Sequence, residues 1–184
     1  MPTPTYYLTF DSSENVTGSG ATPDGTVPKD AIECTQQQAE NPQAWAISNG
    51  AIVSAPATQL LAQAQAAQIA IITQACAGAI TGGFSSSALG SAHTYPSQPN
   101  DQSNLIGAAT ASQSPTLPAG WTCNFWCADS TGAWALRAHT AAQIQQVLAD
   151  GVAAREALST KLAALVAQVE AATTVAAVQS IVWA

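Results

Sequence analysis

The residues that could carry out chemistry are concentrated in the stretch 82–140, which contains both histidines of the chain. His93, Asp101 and the neighbouring serines are the residue types that make up a hydrolase triad. However, the chain contains no Gly-x-Ser-x-Gly turn of the kind that exposes a nucleophilic serine. His93, two residues before Tyr95, is therefore predicted to be a structural histidine with a hydrogen-bonded ring. His139 precedes the predicted start of a helix and is expected to lie on the surface.

The four cysteines are the other residues that could form a site. Cys123 and Cys127 fall on one face of a predicted strand, and at about 3.3 Å per residue they lie roughly 13 Å apart. That separation is too long for a disulfide or for shared metal ligation. The histidines and cysteines never fall at zinc spacing, and the chain has no calcium loop and no phosphate-binding glycine loop. We therefore expect no metal or cofactor, and we expect reduced thiols that pack as small hydrophobic groups.

Paired carboxylates, the pattern needed for glycoside hydrolysis, are also not evident. Asp101, Asp129 and Asp150 all fall at predicted turns or helix caps, and that local role explains them. The sequence therefore favours a protein that is not an enzyme.

The composition limits the kinds of partner the chain can have. Only 8% of the residues are charged and the net charge is −7, so the polar surface must consist of Gln, Ser, Thr and Asn. The four basic residues, Lys29, Arg137, Arg155 and Lys161, form no cluster, which argues against nucleic-acid binding and against an anionic membrane surface. A neutral surface rich in Ala, Gln and Thr suits packing against other proteins, although compositional drift towards Ala explains it equally well.

The N-terminal residues show neither a basic segment nor an apolar segment, so no targeting peptide is predicted and synthesis in the cytoplasm is expected. The uncharged stretch 57–80 is the one candidate for a membrane span. Glutamines interrupt it too often for that, so a helix without a membrane role is predicted.

The predicted fold class is α+β. A small β-rich docking module is expected over residues 1–55, a connecting helix over 56–81, and a mostly helical domain with an antiparallel hairpin or small sheet over 82–184. Tyr6 to Phe10 has the composition of a strand, 18–29 reads as a loop, and Asn49-Gly50 between two strand-like runs is typical of a type I′ hairpin turn.

The connecting helix has a broad apolar face that could form an oligomerisation seam. The residues of this face are Leu60, Leu61, Ala64, Ala67, Ile71, Ile72 and Ala75. Gln68 falls in the middle of it. In a self-assembling seam this glutamine would fix the register; in a helix packed on its own domain, it would lie at the rim of the face.

In the C-terminal domain, Asp101 is a predicted N-cap and Asp150-Gly151 a predicted break between helices. A narrow stripe at heptad spacing follows, and it is a second candidate for oligomer or partner contacts. Its residues are Leu158, Leu162, Leu165, Val169 and Ala172.

Aromatic residues are concentrated on two neighbouring predicted strands of the C-terminal domain. Trp121, Cys123, Phe125 and Cys127 are predicted to share the inner face, which leaves Trp126 on the opposite face. Core packing is the ordinary role for such residues. Trp126 is the candidate for a surface that contacts protein or sugar.

Five motifs follow one another in fixed order between residues 84 and 175. They read Phe84-x4-Leu89-Gly90-x2-His93-x-Tyr95-Pro96-Ser97, Asp101-Gln102-x-Asn104-Leu105, Trp126-Cys127-Ala128-Asp129 through Gly132-Ala133-Trp134, His139-Thr140-Ala141-x-Gln143-Ile144, and Ala172-Thr173-Thr174-Val175. On these residues the chain resembles a domain of unknown biochemical activity that is common in tail-associated proteins of tailed phages and prophages. The N-terminal module is similar to the short leading modules of phage fibre and fibre-assembly proteins.

The resemblance implies a phage tail setting. The first hypothesis is a structural tail component (a fibre, tip or baseplate-proximal protein) that forms homo-oligomers, with a trimer favoured. Its other partners would be further tail proteins and a host surface receptor. The second hypothesis is a chaperone of fibre assembly. A glycan-hydrolysing or glycan-binding tail module is the third, and the missing acid pair argues against the hydrolase.

Overall fold

The chain is an α+β protein in the computed structural model, which describes residues 3–184. Its residues divide into two compact units. One comprises the described residues up to Ala67 together with Thr173–Gln179, and the other comprises Gln68–Ala172 together with Ser180–Ala184. The division falls inside a long helix, whereas the sequence placed the domain boundaries at the two ends of that helix. Met1 and Pro2, which the predicted docking module includes, lie outside the described residues.

The first unit begins with a three-stranded antiparallel sheet in the order β2-β1-β3. Its strands are β1 (Thr5–Phe10), β2 (Val16–Thr22) and β3 (Ala31–Cys34). The predicted loop 18–29 is wrong at its start, because 18–22 belong to β2. The reason is tertiary: Tyr7 pairs with Gly20, and a Cβ at Gly20 would lie 2.4 Å from the tyrosine hydroxyl oxygen. Glycine has a low propensity for strands, but it is required at position 20 because the Tyr7 ring leaves no room for a side chain.

A short helix and a hairpin complete the strand-rich part of this unit. Helix α1 (Gln36–Glu40) starts with a capping box, in which Thr35 and Gln38 exchange hydrogen bonds. Strands β4 (Trp45–Ser48) and β5 (Ala51–Ser54) pair through a tight turn in which Asn49 has φ 50° and Gly50 has φ 73°. The predicted type I′ hairpin is confirmed, because that turn needs positive φ at both positions.

The second unit is built around a four-stranded antiparallel sheet in the order β6-β7-β8-β9. The strands are β6 (Phe84–Ser86), β7 (His93–Tyr95), β8 (Thr122–Ala128) and β9 (Trp134–Thr140). Helices α3 (Pro99–Ala111) and α4 (Ala141–Ala171) complete the core of the unit. One cluster of buried core residues comprises Tyr95, Leu105, Cys127, Ile144 and Val147. In chain order, helix α2 (Ala57–Thr81), whose residues are divided between the two units, precedes the sheet, and the short helix α5 (Val175–Gln179), which belongs to the first unit, follows α4.

Two predicted features of the helices in this unit are wrong. Helix α3 begins at Pro99 with Gln98 as its N-cap, and Asp101 acts from inside the first turn by accepting a 3.0 Å hydrogen bond from the Gln98 amide. Helix α4 runs unbroken through Gly151. A Cβ at Gly151 would meet the Phe84 ring at 2.8 Å, so the glycine permits close packing and does not end the helix. Local propensity could not separate these two roles of glycine.

Within residues 3–184, no helix combines the length and the apolar content needed to cross a membrane.

Candidate functional site

The buried face of α2 differs from the apolar face that the sequence predicted as an oligomerisation seam. The buried residues of this helix are Gln68, Ile72 and Cys76, whereas Ile71 is 57% exposed. Ala67 is also exposed, and Leu60 and Ala64 are half-buried. The buried face is therefore turned by about one residue relative to the predicted face. In a helix dominated by Ala and Gln, hydrophobicity gives only a weak directional signal.

The Gln68 side chain forms a hydrogen bond within the second unit. Its side chain is 9% exposed, and its Nε2 donates a 2.6 Å hydrogen bond to the carbonyl of Ile181. Gln68 was expected at the rim of the packed face of the helix. That expectation is wrong, because the side chain is buried. Further along α2, the Cys76 sulfur lies 3.7 Å from the carbonyl oxygen of Leu158 on α4.

The heptad stripe of α4 also faces the interior. Val169 is fully buried, while Leu158, Leu162 and Leu165 are half-buried. These residues keep part of their apolar surface available for a partner, but each also packs within its own chain.

The inner face of the sheet contains a buried tyrosine–histidine pair. Tyr95 and His139 are both 0% exposed, and the Tyr95 hydroxyl lies 2.8 Å from Nε2 of His139. The other ring nitrogen, Nδ1, lies 2.9 Å from the Arg137 carbonyl, which can only accept. Nδ1 of a neutral imidazole therefore carries the proton, and the Tyr95 hydroxyl donates to Nε2. The prediction that His139 lies on the surface is wrong, because strand alternation after Arg137 turns it inward.

Burial makes this pair resistant to ionisation. Desolvation is the main reason that the pKa of His139 lies below its ordinary value; the hydrogen bond to the Arg137 carbonyl opposes this shift, and the neighbouring His93 adds to it. Burial also raises the pKa of Tyr95. Both side chains are therefore neutral at neutral pH, and the pair acts as a hydrogen-bonded core element.

We expect acid to destabilise the protein through His139. Its folded-state pKa lies below the unfolded value of about 6.5, so the unfolded chain binds the proton more readily. Stability should be constant above about pH 6.5 and should fall below it, with a slope of at most about 1.4 kcal/mol per pH unit. Chemical denaturation between pH 7.5 and 5 would measure this. His139→Asn, which keeps an acceptor for Tyr95, should flatten the slope; an unchanged slope would contradict the assignment.

The serine, histidine and aspartate side chains that could form a hydrolase triad do not meet in the structure. Ser86 is opposite His93 in the β6–β7 register, but its hydroxyl lies 2.5 Å from the Asp150 carboxylate. The His93 Nδ1 instead lies 2.8 Å from the Ser91 carbonyl, and the Asp101 carboxylate caps α3. Asp150 was predicted as a turn residue; its second carboxylate oxygen accepts a 2.7 Å hydrogen bond from Gln146 Nε2. These bonds are structural, and none of them joins a serine hydroxyl to a histidine ring.

The β8–β9 turn is held by an ion pair. Arg137 contacts the Asp129 carboxylate at 2.8 Å and donates to the Cys127 carbonyl. Asp129 also accepts from the Thr131 hydroxyl and from the amides of Ala133 and Thr131, and these bonds, with the hydroxyl contributing most, lower the pKa of its carboxyl group. The local role predicted for Asp129 is confirmed.

The outer face of the β8–β9 hairpin exposes an apolar patch. Trp126 is 54% exposed, and its partner across the strand pair, Leu136, is 53% exposed. Trp134, two residues before Leu136 on the same face, is 51% exposed. We call these three residues the outer-face patch. The inner positions Cys123, Phe125 and Cys127 are half-buried or buried, as the predicted alternation requires.

Sequence reasoning named only Trp126 as a surface aromatic. Leu136 and Trp134 could have been found by combining the predicted hairpin with its register, because residues paired across two strands share a face. The alternation of Trp126 alone could not supply that register.

All four cysteines are free, and two of them, Cys76 and Cys127, are buried. Burial raises the pKa of Cys34 and Cys123, which makes their thiolates less available at neutral pH. Within residues 3–184, no group of three or more His, Cys, Asp or Glu side chains could hold a metal ion.

Comparison with known proteins leaves the biochemical activity open. No curated protein and no solved structure matches the chain. A family model matches residues 63–182, which include the whole four-stranded sheet β6-β7-β8-β9, α3 and α4. The chain belongs to this family, which is described as a domain of unknown function (DUF4376).

Proposed function

We propose that this chain is a structural component of a tailed-phage virion, in a tail fibre, tail tip or baseplate-proximal position, and that it acts by assembling with other proteins. The phage setting is supported by the resemblance of the ordered motifs between residues 84 and 175. In this proposal the protein forms a homo-oligomer, with a trimer favoured, contacts further tail proteins, and has a host surface receptor as an additional partner. Its location is the virion tail.

The outer-face patch is the observation that carries the assembly part of the proposal. Aromatic side chains cover roughly 150–250 Å² each, so two half-exposed tryptophans and a half-exposed leucine leave on the order of 300 Å² of apolar surface in water. The neighbouring outward positions on these strands, Thr122, Asn124 and Thr140, are uncharged and exposed. An apolar centre with an uncharged polar surround is typical of the middle of a protein interface.

The edge of the sheet supports the same interpretation. Strand β9 pairs with β8 on one side only among the described residues. A seven-residue edge strand with free backbone groups invites pairing with another chain unless it is protected. The outer-face patch and this edge lie on the same strand, so one partner could cover both.

A chaperone of tail-fibre assembly is the second candidate. It is favoured by the packing of Gln68, Val169 and the α4 leucines within their own chain, which leaves less of the predicted helical seam for a permanent oligomer. A chaperone would use the outer-face patch to bind an immature fibre.

Light scattering on three variants with equally exposed sites tests the assembly surface. We expect Leu136→Asp to dissociate a wild-type oligomer into folded monomers, because the new carboxylate would be buried without a partner. Ile71→Asp tests the α2 seam, and Val182→Asp is the matched control. These residues are 53%, 57% and 59% exposed, so none of the substitutions should unfold the chain. Circular dichroism would confirm that the fold is retained.

A monomeric wild-type protein would contradict a permanent homo-oligomer and would favour the chaperone. An oligomer that only Ile71→Asp dissociates would move the interface to α2. Mass spectrometry of purified particles from an induced prophage separates the two roles, because a structural component remains in the particle and a chaperone does not. Absence of the chain from particles and from tail intermediates alike would overturn the phage-tail setting.

A further inference from the structure

Strand β9 presents a row of outward backbone groups at the edge of the four-stranded sheet. Among the described residues it pairs only with β8. The hydrogen bond from the Asp129 amide to the Ala133 carbonyl shows which residues bond across this hairpin. Because hydrogen-bonded and non-hydrogen-bonded pairs alternate along an antiparallel ladder, Ala135, Arg137 and His139 are the residues that bond to β8. The backbone N–H and C=O groups of the residues between them point away from β8; these residues are Trp134, Leu136 and Ala138.

Residues 134–138 lack the features that usually protect an edge strand. The β8–β9 register runs without a bulge, and this segment contains neither proline nor lysine. Its one charged residue, Arg137, is held within the hairpin by the Asp129 carboxylate and the Cys127 carbonyl. The three residues with outward backbone groups also have exposed side chains. The edge of β9 is therefore accessible to another strand.

We propose that β9 pairs with β9 of a second copy of this chain, antiparallel, about a two-fold axis that passes beside Leu136. In this register Leu136 lies opposite the same residue of the second copy, and Trp134 of each copy lies opposite Ala138 of the other. All the outward backbone groups of these residues then find partners, in about six hydrogen bonds between the two strands. The two four-stranded sheets join into one continuous sheet.

The side chains make this register self-complementary. On the outer face the large Trp134 meets the small Ala138, and the two copies of Leu136 form an apolar cross-strand pair. Arg137 lies opposite the uncharged Ala135, so no like charges meet. An axis moved one residue towards the C-terminus would instead place the two copies of Arg137 opposite each other, which charge repulsion disfavours. An axis moved one residue towards the N-terminus would leave Ala138 beyond the paired strands.

A second copy is the favoured occupant because every copy carries the same open edge, and one two-fold contact satisfies both edges at once. The paired segment, 134–138, is only about 17 Å long. It therefore covers less than the roughly 1,600 Å² of a standard interface, and we expect a weak dimer that depends on concentration.

The inference specifies one contact of the assembly proposed above and rests on that proposal, but it does not depend on the phage-tail setting. A two-fold contact cannot close a trimer, so in a trimeric protein it would join two trimers. Trp126, on β8, stays available to a further partner.

Mixing two oppositely charged variants of position 136 tests the axis. Sedimentation velocity of the full chain, from about 5 to about 500 μM, should show reversible dimerisation. Leu136→Glu and Leu136→Lys should each weaken it at least about tenfold, because like charges would face each other across the axis. An equimolar mixture of the two variants should form a mixed dimer at least about fivefold tighter than either variant alone, since a carboxylate then faces an ammonium group.

Val182→Glu and Val182→Lys are the matched controls. They change the net charge by the same amounts at a site of similar exposure, 59% against 53% for Leu136, and should leave dimerisation unchanged. Circular dichroism would confirm that every variant keeps its fold.

A wild-type chain that shows no two-fold association up to about 500 μM would overturn the inference. So would a dimer that the Leu136 variants do not weaken, or one that their mixture does not restore. Hexamers that the single variants reduce to trimers, and that the mixture restores, would support it. A trimer that the variants dissociate and the mixture does not restore would overturn the two-fold contact and leave the proposed tail oligomer standing.

Discussion

Replacing Tyr95 with alanine is expected to lower the free energy of unfolding by about 3–5 kcal/mol, the largest effect of any single substitution considered for this chain. Tyr95 is fully buried, stacks on Phe84 with ring centroids 5.6 Å apart, and donates to His139. Truncation would leave a cavity at the centre of the core and an unpaired imidazole nitrogen. Urea denaturation, followed by fluorescence and circular dichroism, would measure the loss.

Tyr95→Phe separates the hydrogen bond from the packing. It keeps the ring but leaves Nε2 of His139 buried without a donor, so a loss of about 1–3 kcal/mol is expected. Trp126→Phe is the matched control, since it truncates an aromatic residue that is half exposed, and it should change stability by less than about 0.5 kcal/mol. If Tyr95→Phe were as stable as the wild type, the hydrogen bond to His139 would not contribute to stability.

Replacing Gly83 with alanine is expected to cost at least about 2 kcal/mol. Gly83 has φ 107°, a conformation in which non-glycine residues cost about 1–3 kcal/mol. In addition, a Cβ at this position would lie 2.6 Å from the backbone oxygen of Tyr95. That oxygen belongs to the first pair of the β6–β7 ladder, Phe84 with Tyr95, and cannot move away without opening the sheet.

Gly90→Ala is the control for the backbone conformation alone. Gly90 has φ 89°, but a Cβ there would meet no atom within 4 Å. We therefore expect Gly90→Ala to incur the cost of positive φ without the steric clash, and to destabilise the protein less than Gly83→Ala. Equal losses for the two variants, measured by thermal unfolding, would show that β6 and β7 tolerate the extra methyl group.

Local sequence signals determined the elements whose stability is local. The Asn49-Gly50 turn depends on residues within a few positions of one another. The alternation along β8 placed Cys123, Phe125 and Cys127 inward. In these cases the residue type and the backbone conformation that it favours are sufficient, so the predictions hold.

The orientation of whole helices was decided by tertiary packing. On α2, burial of Gln68 and Cys76 in preference to Ile71 depends on the carbonyl of Ile181, which lies 113 positions further along the chain. A hydrogen-bond partner at that distance makes a polar residue suitable for the interior, and no local pattern shows it. For the same reason, the sequence predicts a helix break at Gly151, whereas in the structure Gly151 lies against the Phe84 ring within a continuous helix.

The sequence by itself determined the α+β class, an acidic and weakly charged surface, and the absence of any recognised catalytic or metal-binding motif. Only the tertiary structure decided which side chains meet. It buried His139 against Tyr95 and joined Trp126 with Trp134 and Leu136 on one open face. Hydrogen bonds and apolar contacts act over a few ångströms, so residues far apart in sequence form a site only after the strands and helices have fixed their positions.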